Sequence, residues 1–338
     1  MEIDEKYMRR ALQLAARGEG FTLPNPMVGA VIVAPDGRII GEGWHRRCGQ
    51  GHAEVNAVAS VCDADMPLLR ESTIYVTLEP CSHYGKTPPC AKLLVDCGIP
   101  RVVVGAGDPN PKVNGRGIAM LREAGTEVVT GVLAEESKQL NSVFFHAQTK
   151  RMPFIMLKWA QSADGFMDST SHAATGKAFA FSTPLTRLST MRLRADVEAI
   201  LTTAATVNAD NPQLTLQDWE GRAPRRFVVE RRKKANSGSR IFDKSAGNPA
   251  VTLSADAIET PFRTLYDEYG VTSVLVEAGP AYLSALMEAG LWDRLRVEIS
   301  PVVLGADGIK KAPALPSWAP ASEIFVDGNR LLYFDLHK

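Results

Sequence analysis

The sequence is poor in cysteine and histidine, with five and six among 338 residues, and aromatic residues make up only 7%. It has no excess charge of either sign, since 38 lysines and arginines balance 38 aspartates and glutamates. A neutral chain lacks the overall basic footprint that draws a protein to nucleic acid or an anionic membrane, so small-molecule partners are expected and neither of those two. No run of eighteen apolar residues occurs, against an ordinary membrane-spanning helix. Met1 to Arg10 are polar and acidic, unlike the apolar centre of a secretory leader. The cysteines (Cys48, Cys62, Cys81, Cys90 and Cys97) are odd in number, all lie in the first hundred residues, and are too sparse for a secreted disulfide framework. A cytoplasmic enzyme fits, with its cysteines used for metal binding or catalysis. A complete Gly-x-Gly-x-x-Gly is also missing: Gly105 and Gly107 begin one, but Asn110 takes the third place, and a Rossmann cofactor site is unsupported.

What is present is the composition of a globular protein, 45% hydrophobic and 22% charged, at a length that suggests two domains. Tyr7, Met8, Ala11, Leu12, Leu14 and Ala15 fall at helical spacing over residues 5–17. Val28 to Val33 and Arg38 to Gly43 flank the turn residues Pro35-Asp36-Gly37, as in a hairpin. Helices are then expected at 53–61, 91–97 and 117–123, alternating with strands at 72–78, 101–104 and 127–133, a three-layer α/β pattern. A polar helical stretch from Glu135 to about Lys150 reads as a connection, which places the domains at 1–148 and 149–338. The second half alternates again: strands at 154–159, 198–202, 226–229, 273–276 and 295–303, helices at 185–195, through Tyr266 and at 281–289, and a last hairpin turning at Asp327-Gly328-Asn329.

The chemistry concentrates in the first half. His52 and Glu54 open a predicted helix, Cys81 follows a strand, and Cys90 begins another helix. An imidazole and two thiolates are good zinc ligands, and three protein ligands leave a fourth tetrahedral position for water. Helix N-termini favour the thiolate form. Glu54, two residues after His52, would act as the proton carrier of a zinc nucleobase deaminase. A closed structural zinc site with Cys48 or Cys97 as fourth ligand is the competing arrangement. Cys62 and Cys97 read as core residues.

Pro24-Asn25-Pro26-Met27-Val28-Gly29, His52-Ala53-Glu54, Thr77-Leu78-Glu79-Pro80-Cys81-Ser82-His83, Gly85-Lys86-Thr87-Pro88-Pro89-Cys90 and Asp108-Pro109-Asn110-Pro111 resemble the bifunctional pyrimidine deaminase/reductase family of riboflavin biosynthesis. The resemblance implies a cytidine-deaminase-like αβα domain in which Asn25, His45, His83 and Lys86 surround a diaminopyrimidinone carrying a ribosylamino 5-phosphate. Gly85-Lys86-Thr87 also imitates the end of a phosphate-binding P-loop, but Pro80 stands where that loop needs glycine.

In the second half, the strand leading through Ala278-Gly279-Pro280 into a helix offers free backbone N–H groups to a phosphate. Asp210 and Asn211 read as a turn after the polar run Thr202 to Thr206. Leu157-Lys158, Ser162-Ala163-Asp164-Gly165, Leu193-Arg194-Ala195, Asp210-Asn211-Pro212 and Val276 to Pro280 are similar to the reductase half of the same family, so the resemblance covers nearly the whole chain. It implies a dihydrofolate-reductase-like α/β domain that uses NADPH to reduce the opened ribose to a ribityl chain. Ala160, Thr206, Asp210, Gly279, Pro280, Ala281, Tyr282, Leu283, Ser284 and Ala285 would then contact the cofactor. Lys158, Arg194, Leu214 and Glu277 would face the substrate. Gln217 and Glu230 depart from the family pattern, which has Arg and Asp there, and Ser169 to Ala180 matches poorly. Arg231, Arg232, Lys233 and Lys234 form a charge run that could read an NADP 2′-phosphate or RNA, although such a run is ordinarily a solvated face. A homo-oligomer is the expected assembly. The competing functions are a nucleic-acid-editing zinc deaminase with a C-terminal binding domain, which the neutral charge disfavours, and a zinc-stabilised scaffold without catalysis.

Overall fold

Alternation along the first strands sorts their side chains onto two faces, and each face is covered by helices. The computed structural model describes residues 2–84, 88–110, 113–173, 175, 179–231, 234–244 and 247–336. The chain separates into two units, Met1–Lys150 and Arg151–Lys338. In the first, the elements run α1 (Glu2–Ala15), β1 (Gly29–Val33), β2 (Ile39–Trp44), α2 (Ala53–Ala59), β3 (Thr73–Leu78), α3 (Cys90–Asp96), β4 (Arg101–Ala106), α4 (Arg116–Glu123), β5 (Glu127–Thr130), α5 (Ala134–Leu140) and α6 (Ser142–Lys150). The strands form one sheet in the order β2-β1-β3-β4-β5, antiparallel at the β1 pairings and parallel from β3 onward. Ala30, Ile32, Ile74, Val76, Val102 and Val104 pack with Ala53, Ala57, Ala91, Leu94 and Leu121 of α2, α3 and α4. Val31, Val33, Tyr75 and Val103, the alternate positions, pack with Tyr7, Met8, Ala11 and Leu14 of α1. The result is a helix–sheet–helix sandwich.

Two expectations for this half need correction. The stretch after Glu135 is two helices, and Phe144 and Ala147 of α6 are buried, Phe144 against Leu78 and Ala106. Their i,i+3 spacing puts an apolar pair on one side of the helix, so α6 is part of the first core and not a bare connection. Cys62 is exposed, because α2 ends at Ala59; its thiol donates to Asp65 at 3.3 Å. Cys97 is half-buried and packs against the core.

The second unit contains β6 (Phe154–Gln161), β7 (Phe166–Ser169), α7 (Thr170–Ala173), α8 (Pro184–Ala195), β8 (Ala199–Thr203), α9 (Ala204–Asp210), β9 (Arg225–Glu230), β10 (Val251–Ser254), α10 (Thr260–Asp267), β11 (Ser273–Val276), α11 (Pro280–Glu288), β12 (Arg294–Ile299), β13 (Gly308–Lys311), β14 (Ser322–Val326) and β15 (Asn329–Asp335). An eight-stranded sheet has the order β10-β9-β8-β11-β6-β12-β15-β14; it is parallel from β10 to β12 and antiparallel at its last two strands. Ile155, Leu157 and Trp159 of β6 join Phe262, Leu265, Leu283 and Leu286 of α10 and α11 in the larger core. Met156, Ile200, Val228 and Leu275 face the other way, with Val207 of α9. Lys158 and Ala160 continue the Met156 side of β6 and reach the cavity described below.

Three readings change here. The run Thr202 to Thr206 does not lead into a turn: Thr203 ends β8 and caps α9, its hydroxyl accepting the Thr206 N–H at 3.3 Å. Asp210 is the last residue of that helix, and Asn211 closes it in the left-handed region at φ 44°. β12 ends at Ile299, short of 303, and β7, β10 and β13 were not anticipated. In the last hairpin Asp327 and Gly328 form the turn at φ 51° and 86°, and Asn329 is already the first residue of β15, paired with Val326.

Candidate active sites

In the first unit α2 lies directly on β2. A side chain at Gly43 would meet the Ala57 nitrogen at 2.3 Å and the Ala53 oxygen at 2.4 Å, so only glycine permits this approach. His52 is the residue that caps α2, and Glu54 sits in its first turn, 3% exposed. Cys81 follows β3 after Pro80, and Cys90 is the first residue of α3. The N-terminus of α3 wraps Cys81: the Cys90 N–H donates to Cys81 Sγ at 3.3 Å and the Ala91 N–H to its carbonyl at 3.2 Å. His52 Nδ1 lies 3.3 Å from Cys90 Sγ and 3.6 Å from Cys81 Sγ, and the three donor atoms are all within 4.8 Å of one another. A tetrahedral zinc with bonds of about 2.0–2.3 Å bridges such a group, and this donor set of one imidazole and two thiols suits it. Among the described residues neither Cys48 nor Cys97 joins the group, which argues against the closed structural site.

The loop bearing Cys81 is tied down by Glu79, a buried residue whose part the sequence did not disclose. Its carboxylate accepts the N–H groups of Gly115 at 2.9 Å and Gly117 at 3.0 Å, at the start of α4. The hydrogen bond from Cys90 is the main influence holding the Cys81 thiol down at about 4, against the effect of burial and with help from His52. Cys90 is pushed up by the same partner and by burial. Burial raises the Glu54 carboxyl, and the nearby His52 only partly offsets it. His45, also buried, pairs its Nδ1 with the Gly51 carbonyl at 3.2 Å, which leaves Nε2 to accept from Asn25 Nδ2 at 3.2 Å. Its ring meets that of His52 edge-on at 5.7 Å. Asn25, His45, His52, Glu54, Cys81 and Cys90 thus belong to one neighbourhood. His83 is exposed, and Lys86 lies outside the described residues.

The second unit holds a cavity of about 870 Å³. Glu277, just after β11, accepts Arg194 Nε at 2.7 Å and Nη2 at 3.1 Å, and Lys158 Nζ stands 3.7 Å away. Burial would raise the Glu277 carboxyl, but the two cations outweigh it and hold it at about 2. Burial lowers Lys158, with Arg296 beside it on β12 acting in the same sense and Glu277 opposing. Thr206 accepts the Gly279 N–H at 3.2 Å and so ties α9 to the start of α11. Ala160, Asp210, Leu214, Gly279, Pro280, Ala281, Tyr282 and Ala285 also line the cavity. Leu283 does not: it is fully buried in the core on the other side of α11, and Ser284 is likewise absent from the lining, as helical periodicity requires. Lys158 lies within β6 and Asp210 ends a helix, so of these charged residues only Glu277 follows a strand end directly. Gln217 accepts from Arg187, and Glu230 accepts from Lys234 and the Ala235 N–H; neither lines the cavity. Arg231 of the charge run does line it, as do Asp168 and Lys310, for which no sequence motif gave a signal. The Tyr282 hydroxyl is buried with no hydrogen-bond partner among the described residues, as expected where a polar ligand completes the wall. Volume, lining and this unsatisfied hydroxyl fit a nicotinamide dinucleotide.

The two units together define a class: a zinc-dependent deaminase and a reductase carried on one chain. Residues 1–106 match the cytidine and deoxycytidylate deaminase zinc-binding region, and residues 153–315 match the RibD C-terminal domain. The riboflavin biosynthesis protein RibD of Escherichia coli is 38% identical over 95% of this chain and 94% of its own, and that of Aquifex aeolicus is 34% identical over 90% and 88%. Among solved structures, Acinetobacter baumannii RibD superposes with a TM-score of 0.86 at 32% identity, covering 99% of both chains. A deaminase/reductase from Thermotoga maritima gives 0.84 at 35% identity, again over 99% of both. The chain belongs to the RibD family of bifunctional riboflavin-biosynthesis enzymes, with a cytidine-deaminase-like domain followed by a dihydrofolate-reductase-like one, and its cofactors are zinc and NADPH.

Proposed function

We propose that the first unit deaminates 2,5-diamino-6-ribosylamino-4(3H)-pyrimidinone 5′-phosphate and that the second reduces the ribosyl group of the product to a ribityl chain. The observation that carries this is the convergence of His52, Cys81 and Cys90 beside a buried glutamate. Those three residues hold the zinc, which supplies Lewis-acid activation of water at neutral pH. Glu54 would carry one proton of the attacking water to the ring nitrogen as the water oxygen bonds to carbon, and then the second, from the resulting hydroxyl, to the departing amine; the C–N bond breaks, the hydroxyl becomes a carbonyl and ammonia leaves. Its burial favours the protonated carboxyl, which suits a group that must accept and return a proton. Asn25 and His45 orient the pyrimidine, while His83 and Lys86 are assigned to the substrate by family resemblance alone.

In the second unit NADPH supplies hydride. Lys158, Arg194, Leu214 and Glu277 hold the sugar and its phosphate, and Ala160, Thr206, Asp210 and the residues Gly279 to Tyr282 with Ala285 hold the cofactor. The boundary is drawn after Lys150, where α6 ends. The neutral charge supports a free small-molecule substrate and no nucleic acid, and five unpaired cysteines support a reducing, cytoplasmic setting. Assembly as a homo-oligomer is supported by the exposed Ile324 and Phe325 on β14, the outermost strand of the large sheet; sedimentation would show it. The functional test supplies the diaminopyrimidine phosphate and NADPH to the full chain. Ammonia and oxidised cofactor should appear in equal amounts with a ribitylated product, and ammonia release without NADPH oxidation would refute the second assignment.

A further inference from the structure

Asp168 and Lys310 of the reductase cavity have been given no part so far, and they meet Asp210 there. Lys310 Nζ is 2.6 Å from Asp168 Oδ2 and 3.9 Å from Asp210 Oδ1, and all three line the cavity. They come from β13, β7 and the end of α9, so the fold brings them together from three separate elements. Asp168 is 2% exposed, and its other oxygen accepts the Ser169 N–H at 2.9 Å. A carboxylate so buried needs a cation, and Lys310 is the one at hand.

The backbone at Lys310 is unusual. Its φ is 55°, in the left-handed region that lysine seldom adopts. The β13–β7 ladder pairs Gly308, Ile309 and Lys311 with Ser169, Asp168 and Phe166 and passes over Lys310. A disfavoured conformation is thus kept at the position that delivers an ammonium group to two carboxylates, a pattern typical of functional strain. The charge balance gives the reason. Among the described residues four cations and three carboxylates line the cavity, but Lys158 and Arg194 are already committed to Glu277. Without Lys310, Asp168 and Asp210 would lose the ammonium beside them, and of the described lining cations only Arg231 would remain to offset the pair. Burial and the neighbouring Asp168 already push the Asp210 carboxyl up, and Lys310 is the group that opposes them.

Resting on the reading of this cavity as the NADPH site, we propose that Lys310 is an affinity-determining residue that neutralises the Asp168–Asp210 pair so that the cavity admits a polyanionic dinucleotide. It acts through the charge of the wall and needs no contact with the cofactor.

The test is a fluorescence titration of the full chain with NADPH at low ionic strength, alongside the ammonia assay as a check on the other unit. Lys310→Met should weaken binding about tenfold, the size of one moderately screened charge interaction, and the deficit should shrink as salt rises. Lys310→Gly, which accommodates φ 55° freely, should lose the same affinity, showing that the loss does not come from backbone strain. Adding Asp168→Asn to Lys310→Met removes one negative charge and should restore affinity to within about threefold of the unaltered protein. Wild-type affinity in both single Lys310 variants would overturn the proposal. A loss that Asp168→Asn fails to restore would overturn it too, since Lys310 would then touch the cofactor itself. Failure of the unaltered protein to bind NADPH would instead overturn the reading of the cavity, a result distinguishable from either of these.

Discussion

Glu54, buried in the first unit, and Glu277, largely enclosed in the second with its side chain 13% exposed, both stand beside a proposed reaction centre, and their surroundings drive them in opposite directions. Among the described residues Glu54 has no lysine or arginine ion pair, and burial raises its carboxyl above the ordinary value. Glu277 is gripped by Arg194 and approached by Lys158, and stays ionised down to about pH 2 despite its burial. A carboxyl of the first kind is eased toward its protonated form and can accept and return a proton, whereas one of the second kind is a fixed anion that orients its partners. The same side chain therefore performs acid–base work in one unit and positioning in the other. Hydrolytic deamination needs a mobile proton, while hydride transfer draws its chemistry from the cofactor and asks the protein for geometry and charge.

Several changes would break or sharpen this contrast. The largest effect is expected from Cys81→Ser combined with Cys90→Ser, which should remove the zinc and all ammonia release; Cys48→Ser should keep both, as elemental analysis of the purified proteins would show. Glu54→Gln keeps the shape but cannot shuttle a proton, so ammonia release should fall by about 10²–10⁴-fold with zinc content and NADPH oxidation unchanged. Glu277→Gln leaves Arg194 and Lys158 buried without their anion. Reductase turnover on already deaminated substrate should be lost, and denaturant titration should show the second unit destabilised by about 3–5 kcal/mol, with deamination intact. The smallest effect concerns acid. Because the Glu277 value is depressed when folded, its stabilisation is complete above the unfolded value of about 4.5 and is lost as pH falls through about 2. The loss should be on the order of 3 kcal/mol and should be absent in Glu277→Gln.

The contrast also explains why one site was far more legible in the sequence than the other. His52 and Cys90 are 38 positions apart, and the donors belong to the few residue types that bind zinc, each at a helix start or strand end that local sequence marks. Arg194 and Glu277 are 83 apart and Lys310 and Asp168 are 142 apart; they meet only because the large sheet with its helices and a separate two-stranded sheet bring them together. Residue chemistry alone does not distinguish such residues from ordinary surface charges: the family motifs marked Arg194 and Glu277, and nothing marked Asp168 and Lys310. Lys310 in particular adopts a left-handed backbone without the glycine or asparagine that would betray it. The misread segments have equally concrete causes. The polar residues of α5 made the whole stretch from Glu135 read as a connection and hid the buried pair Phe144 and Ala147, and the threonines at the end of β8 read as leading to a turn although Thr203 caps a helix. In the family motifs around Gly279 to Ala285 the sequence marked the right helix but not the face that Leu283 turns into the core.

The central claim is that two complete and separable sites share the chain, one built around a proton carrier and the other around a fixed anion. The most direct test mixes the Glu54→Gln and Glu277→Gln proteins and supplies the diaminopyrimidine phosphate with NADPH. Each variant alone should stall, the first before ammonia release and the second after it, while the mixture should release ammonia, oxidise NADPH and form the ribitylated product. A mixture that stays inactive although each protein retains its remaining single activity on the matching substrate would show that the two sites do not act as separable centres.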